Sequence, residues 1–84
     1  MEWAVVRSLA GRDSGELFFV VGVEEPYLLL CDGKHRRLSA PKRKKRRHTE
    51  PAGAYARKLD RQTPVTDNEI RRALAAFRAQ SRRV

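Results

Sequence analysis

The 84 residues include one cysteine, Cys31, so no intramolecular disulfide can form and a disulfide-stapled secreted scaffold is excluded. Long apolar runs are missing too. The longest, residues 17–23 with Gly22 inside it, falls far short of the roughly 20 residues that cross a bilayer. The opening Met1-Glu2-Trp3-Ala4-Val5-Val6 carries an acid where a secretory signal needs a basic start. We therefore expect a soluble protein in a reducing, cytoplasmic setting, with no membrane partner.

Chemistry-bearing constellations are equally scarce. None of Ser8, Ser14, Ser39 and Ser81 stands in a Gly-x-Ser-x-Gly context. Two histidines and one cysteine, separated by four and thirteen positions, do not make a usual zinc set. The glycines at 11 and 15 are not followed by Lys-Ser/Thr, so there is no phosphate-binding loop of the nucleotide-hydrolase type. The sequence thus predicts no enzyme, no catalytic or metal-ligating residue, no cofactor and no small-molecule substrate. Aromatic residues make up only 7% of the chain.

What is abundant is positive charge. There are 19 Lys and Arg against 10 Asp and Glu, a net charge of +9, which calls for solvation or a polyanionic partner. Its placement is asymmetric: residues 1–33 hold two bases against six acids, and residues 34–84 hold seventeen against four. The first part reads as scaffold and the second as a surface facing a polyanion. A chain this short removes only about 60% of its unfolded surface from water, so one small domain is expected.

In chain order, residues 3–9 alternate as a first strand. Gly11-Arg12-Asp13-Ser14-Gly15 follows, a loop in which glycines supply positive φ and Asp13 can bond backbone amides, so Gly11, Asp13 and Gly15 are assigned structural roles. Residues 17–23 are apolar at both parities, which predicts a strand covered on both faces. Pro26 interrupts the pattern, and residues 27–31 form a third strand. Asp32-Gly33 reads as a hairpin turn, with residues 34–38 returning as the next strand. Residues 42–48, six bases and a histidine, offer a short closing strand.

Residues 50–65 contain Pro51, Gly53 and Pro64 without clean periodicity, and read as an irregular connection with one or two helical turns at 54–59. Thr66-Asp67-Asn68-Glu69 is a capping box, with Val65 and Ile70 placed as a hydrophobic staple. Ile70, Ala73, Leu74 and Phe77 then form one apolar stripe opposite Arg71, Arg72 and Arg78, and Arg82 and Arg83 lie toward the helix's negative end. A helix of this length is marginal alone. Docking on the strand at 17–23 is the preferred role; ordering only against a partner is the alternative. The expected architecture is mainly β, a small SH3-like antiparallel barrel over residues 1–49, a connection over 50–65 and a C-terminal amphipathic α-helix over 66–81.

The glycine loop, flanked by Val6 and by Val20-Val21, resembles a KOW motif, the loop-linked strand pair of ribosomal proteins and transcription elongation factors. The order of that loop, Val20-Val21-Gly22-Val23, Asp32-Gly33 and a basic segment ending in His48 is similar to short bacterial KOW-domain proteins related to the archaeal and eukaryotic type of large-subunit ribosomal protein fourteen. The resemblance covers roughly residues 3–49. It implies an SH3-like barrel that binds RNA and associates with ribosomal RNA, with ribosomal proteins as possible neighbours. This chain has Ser14 and Glu16 where the family loop often has lysine, and its loop sets only Arg7 and Arg12 against Asp13 and Glu16, so at most an auxiliary contact from Arg12 is expected there.

The main RNA surface is expected at Lys34, His35, Arg36, Arg37, Lys42, Arg43, Lys44, Lys45, Arg46, Arg47 and His48, because residues 34–48 contain nine bases and no acid. Arginines can fork onto phosphates, whereas lysines act as point charges. Few rings lie nearby, so backbone and shape recognition is expected over base stacking. Reversing Lys42, Lys44 and Lys45 to Glu is expected to abolish RNA binding with the fold intact. The alternative is a protein-interaction module in which Trp3, Tyr27 or Tyr55 lines a peptide groove. A nuclear-localisation reading of residues 41–47 is the motif rival.

Overall fold

The computed structural model describes residues 2–56 and 64–81. Its elements are β1 (Glu2–Ser8), β2 (Leu17–Glu24), β3 (Tyr27–Cys31), β4 (Lys42–Lys45), a single 3₁₀ turn (Arg46–His48), β5 (Thr49–Ala56) and α1 (Asp67–Ser81). The strands form one antiparallel sheet in the order β4-β3-β2-β1-β5. The sheet is not closed, and with the helix packed on it the architecture is compatible with an SH3-like fold. No helix among the described residues is long and apolar enough to cross a membrane.

The double parity of β2 has the consequence expected of it. Leu17 and Phe19 join Val5 and Cys31 beneath Ile70, Ala73 and Leu74 of α1. Phe18 faces the other way, with Val6, Leu28 and Leu30. Phe19, Leu30, Ile70 and Leu74 are fully buried, and each contributes roughly 1.5–3 kcal/mol by leaving water. That burial is what stabilises a helix too short to persist alone. Its start is capped as the sequence indicates: the Glu69 amide donates to Thr66 Oγ1 at 3.1 Å and the Ile70 amide to the Thr66 carbonyl at 3.1 Å.

Two expectations are corrected. Residues 34–38 do not form a strand, and the partner of β3 is Lys42–Lys45. Asp32 Oδ1 accepts the amides of Lys34 and Arg36 at 2.9 and 2.8 Å, which withdraws them from any ladder. Gly33 (φ +78°) is buried against the first turn of α1, so close that a Cβ there would lie 2.1 Å from the Asp67 carbonyl oxygen. Asp67 Oδ1 in turn accepts the Leu38 amide at 2.8 Å. Asp32-Gly33 therefore makes a helix-docking loop rather than a hairpin.

The second correction concerns residues 50–65. Thr49–Ala56 is a full strand paired along β1, so the sheet extends past residue 49. Pro51 and Gly53 obscured it because they weaken β-propensity. Here they are tolerated: β5 is at the sheet's edge and its register shifts between Val5 and Val6, which leaves Ala52 bulged. Ala54 and Tyr55 lie in this strand and not in a helical turn. The rest of that expected turn, at 57–59, and Arg82 and Arg83 fall outside the described residues.

Candidate nucleic-acid interface

The glycine loop is held by its aspartate. Gly11 and Gly15 have φ of +86° and +89°, and the turn between them closes through the Ser14 amide on the Gly11 carbonyl and the Gly15 amide on the Ser8 carbonyl, at 3.2 and 2.8 Å. β4 alternates so that Lys42 and Lys44, paired with Leu30 and Leu28, share one face. The sheet curls until that face meets the loop, although β3 and β2 lie between β4 and β1. Lys44 Nζ then donates to Asp13 Oδ1 at 2.7 Å, to the Ala10 carbonyl at 2.7 Å and to Ser8 Oγ at 2.8 Å.

An ammonium has three N–H donors, and all three of Lys44 are engaged; its side chain is only 8% exposed. Lys42 Nζ sits 2.5 Å from Asp13 Oδ2, and the Ser8 hydroxyl donates to Asp13 Oδ1 at 2.6 Å. Burial by itself would raise the Asp13 carboxyl, but hydrogen bonds from Lys42, Lys44 and Ser8, with the charge of Lys42, outweigh it and hold the group well below the ordinary carboxylate range. Lys44 is thus a structural residue, and Lys42 is half-committed to the same anchor. Reversing Lys44 to Glu would set two carboxylates against each other, so the expectation of an intact fold after the triple reversal is also corrected.

The opposite parity of β4 faces acids. Arg43 Nε lies 3.5 Å from Glu24 and its guanidinium sits 4.6 Å over the Tyr27 ring. Arg46 pairs with Glu25, and Arg7 with Glu50 at 3.5 Å. These pairs are exposed and individually weak. Lys45 is half-buried, Arg47 is exposed, and His48 is half-buried with its carbonyl accepting the Leu9 amide at 2.8 Å. The continuous basic run of the sequence is therefore divided by strand alternation into an anchor, a set of ion-paired arginines and a small free remainder.

The freely presented cations lie elsewhere. Arg12, Lys34, His35, Arg36 and Arg37 are exposed, and no carboxylate pairs with them among the described residues. Two adjoining clefts collect all of these but Arg37. One, of about 470 Å³, is walled by Arg12, Arg36 and Lys42 over Phe18. The other, of about 290 Å³, is walled by Lys34, Arg71 and Arg78. Glu16, Asp32 and His35 line both.

Sequence reasoning missed Arg71 and Arg78 as site residues. They stand seven positions apart on the polar side of α1, which puts them on one face two turns apart. That spacing was readable, but which way the face points depends on Gly33 docking the helix. Of the rings named for a peptide groove, Trp3 and Tyr55 pack on Phe19 at centroid distances of 6.3 and 5.5 Å, the Tyr55 hydroxyl donates to Glu69 at 3.3 Å, and Tyr27 lies under the Arg43 guanidinium. Cys31 is fully buried, and burial, with the charges of Asp67 and Asp32, pushes its thiol up to about 11, whereas His35 is exposed.

No protein-family model matches the chain, and the comparison with curated proteins finds no significant relative.

Proposed function

We propose that this chain is a non-catalytic RNA-binding module that associates with ribosomal RNA in the cytoplasm, gripping phosphates through the Arg12, Lys34 and Arg36 loops and the Arg71 and Arg78 face of α1. The observation that carries this reading is the collection of unpaired cations from three separate segments along one pair of adjoining clefts. Asp32 Oδ1 holds the backbone amides of both Lys34 and Arg36, which fixes the path of the turn that carries them. Each cation that meets a phosphate releases a condensed counterion, which favours binding at low salt. The ribosomal assignment rests on the resemblance of the glycine loop and the segments after it to the KOW family, and ribosomal proteins are then natural neighbours.

The test is co-sedimentation with ribosomes across a salt series, comparing the native chain with the Arg12→Glu/Arg36→Glu double variant. Both side chains are exposed, so the melting temperature should hold while ribosome association is lost. Association unchanged by the double reversal, or insensitive to salt, would refute the reading.

A further inference from the structure

A surface that only gripped phosphates would have no use for carboxylates, yet Glu16 and Asp32 line both clefts, with Arg12 and Arg36 in the wall of one and Arg71 and Arg78 in the wall of the other. Asp32 is accounted for by its Oδ1, which holds two backbone amides. Glu16 is not. Its backbone closes the glycine loop, with its amide on the Asp13 carbonyl at 2.9 Å and its carbonyl accepting the Ser8 amide at 2.9 Å. Its side chain is exposed, and no cation pairs with it among the described residues.

An ionised carboxylate only accepts hydrogen bonds, so its ligand must offer donors. Among the nucleobases, guanine alone presents two adjacent N–H donors, N1–H and N2–H, spaced to meet both oxygens of a carboxylate. Adenine and cytosine set one amino group beside a ring acceptor, and uracil sets its N3–H between two carbonyls; each of these would place an acceptor against the carboxylate. The guanine edge is free only when the base is unpaired, which is how proteins read RNA loops and bulges.

We infer that the paired clefts hold an unpaired guanosine of a structured RNA, with its Watson–Crick edge on the Glu16 carboxylate, Arg12 and Arg36 on the phosphate to one side and Arg71 and Arg78 on the phosphate to the other. Phe18 supplies an apolar floor to the larger cleft, whose volume of about 470 Å³ admits a nucleotide. This inference deepens the RNA-binding reading and rests on it.

The experiment is fluorescence anisotropy with RNA hairpins of one stem, whose loop carries a single guanosine, inosine or adenosine, titrated with the native chain and with Glu16→Gln. The guanosine hairpin should bind about tenfold tighter than the adenosine one, as one bidentate base contact allows. Inosine, which lacks N2–H, should fall between, and Glu16→Gln should erase the ranking. Equal affinities for the three loops, a ranking that survives Glu16→Gln, or a Glu16→Gln chain that binds all three more tightly would overturn the inference, the last because it marks Glu16 as a mere repeller of phosphate. Failure of the native chain to bind any hairpin and ribosomal RNA alike would instead remove the RNA-binding reading itself.

Discussion

Lys44 Nζ and Asp13 Oδ1 lie 2.7 Å apart, joining the loop after the first strand to a strand thirty-one residues later in the chain. The sheet order leaves β4 without a hydrogen-bonded neighbour on one side. This ion pair, with Lys42 on the second carboxylate oxygen, supplies the missing connection through side chains.

Removing one partner of such a pair should therefore cost more than removing a surface charge. Lys44→Met keeps the aliphatic stem but leaves Asp13 and the Ala10 carbonyl without their donor; it should lower unfolding free energy by about 3 kcal/mol. Lys42→Met, at a site 27% exposed, should cost about 1 kcal/mol or less. Urea unfolding of both variants checks the ordering, and equal small losses would show that Lys44 anchors nothing.

Asp13 also sets an acid limit. Its folded carboxyl lies below its ordinary value of 3.8, so the unfolded chain takes up the proton first. The stabilisation is complete above about pH 5 and is lost as pH falls through the unfolded value toward the folded one. Stability measured from pH 7 down to pH 2 should be level and then decline below about pH 4, and Asp13→Asn should flatten that decline while lowering the plateau. A decline of the same steepness in the variant would assign the acid limb to other carboxylates.

Two glycines of similar φ separate strain from crowding. At Gly15, φ +89°, a Cβ would meet nothing within 4 Å, whereas at Gly33, φ +78°, it would lie 2.1 Å from the Asp67 carbonyl oxygen. Gly15→Ala should cost about 1 kcal/mol, the left-handed penalty alone. Gly33→Ala should cost about 3 kcal/mol or more, because α1 must shift. Thermal melts with helix-sensitive circular dichroism distinguish them, and comparable losses would mean that Gly33 does not seat the helix.

Much of this was legible in the chain. The double parity of residues 17–23 required cover on both faces, and the stripe at Ile70, Ala73, Leu74 and Phe77 provided one cover. β5 was hidden because Pro51 and Gly53 imitate a loop, and only pairing with β1 accommodates them. The basic run misled for a different reason. Its charges are adjacent in sequence, but strand alternation sends Lys42 and Lys44 to Asp13 and Arg43 to Glu24 and Tyr27. Partners twenty or thirty residues away decide which cations are free, and local composition does not register them. Arg71 and Arg78 entered the candidate site through tertiary docking alone.

The central claim is that the RNA surface is a tertiary one, made of loop and helix cations rather than the basic run itself. Its most direct test is the salt dependence of ribosomal RNA binding by Arg71→Glu/Arg78→Glu, two residues far outside that run. The account predicts weaker binding and a salt slope shallower by about 1, since the one phosphate that is no longer neutralised takes roughly 0.7–0.9 off the slope. Affinity and slope equal to those of the native chain would contradict it.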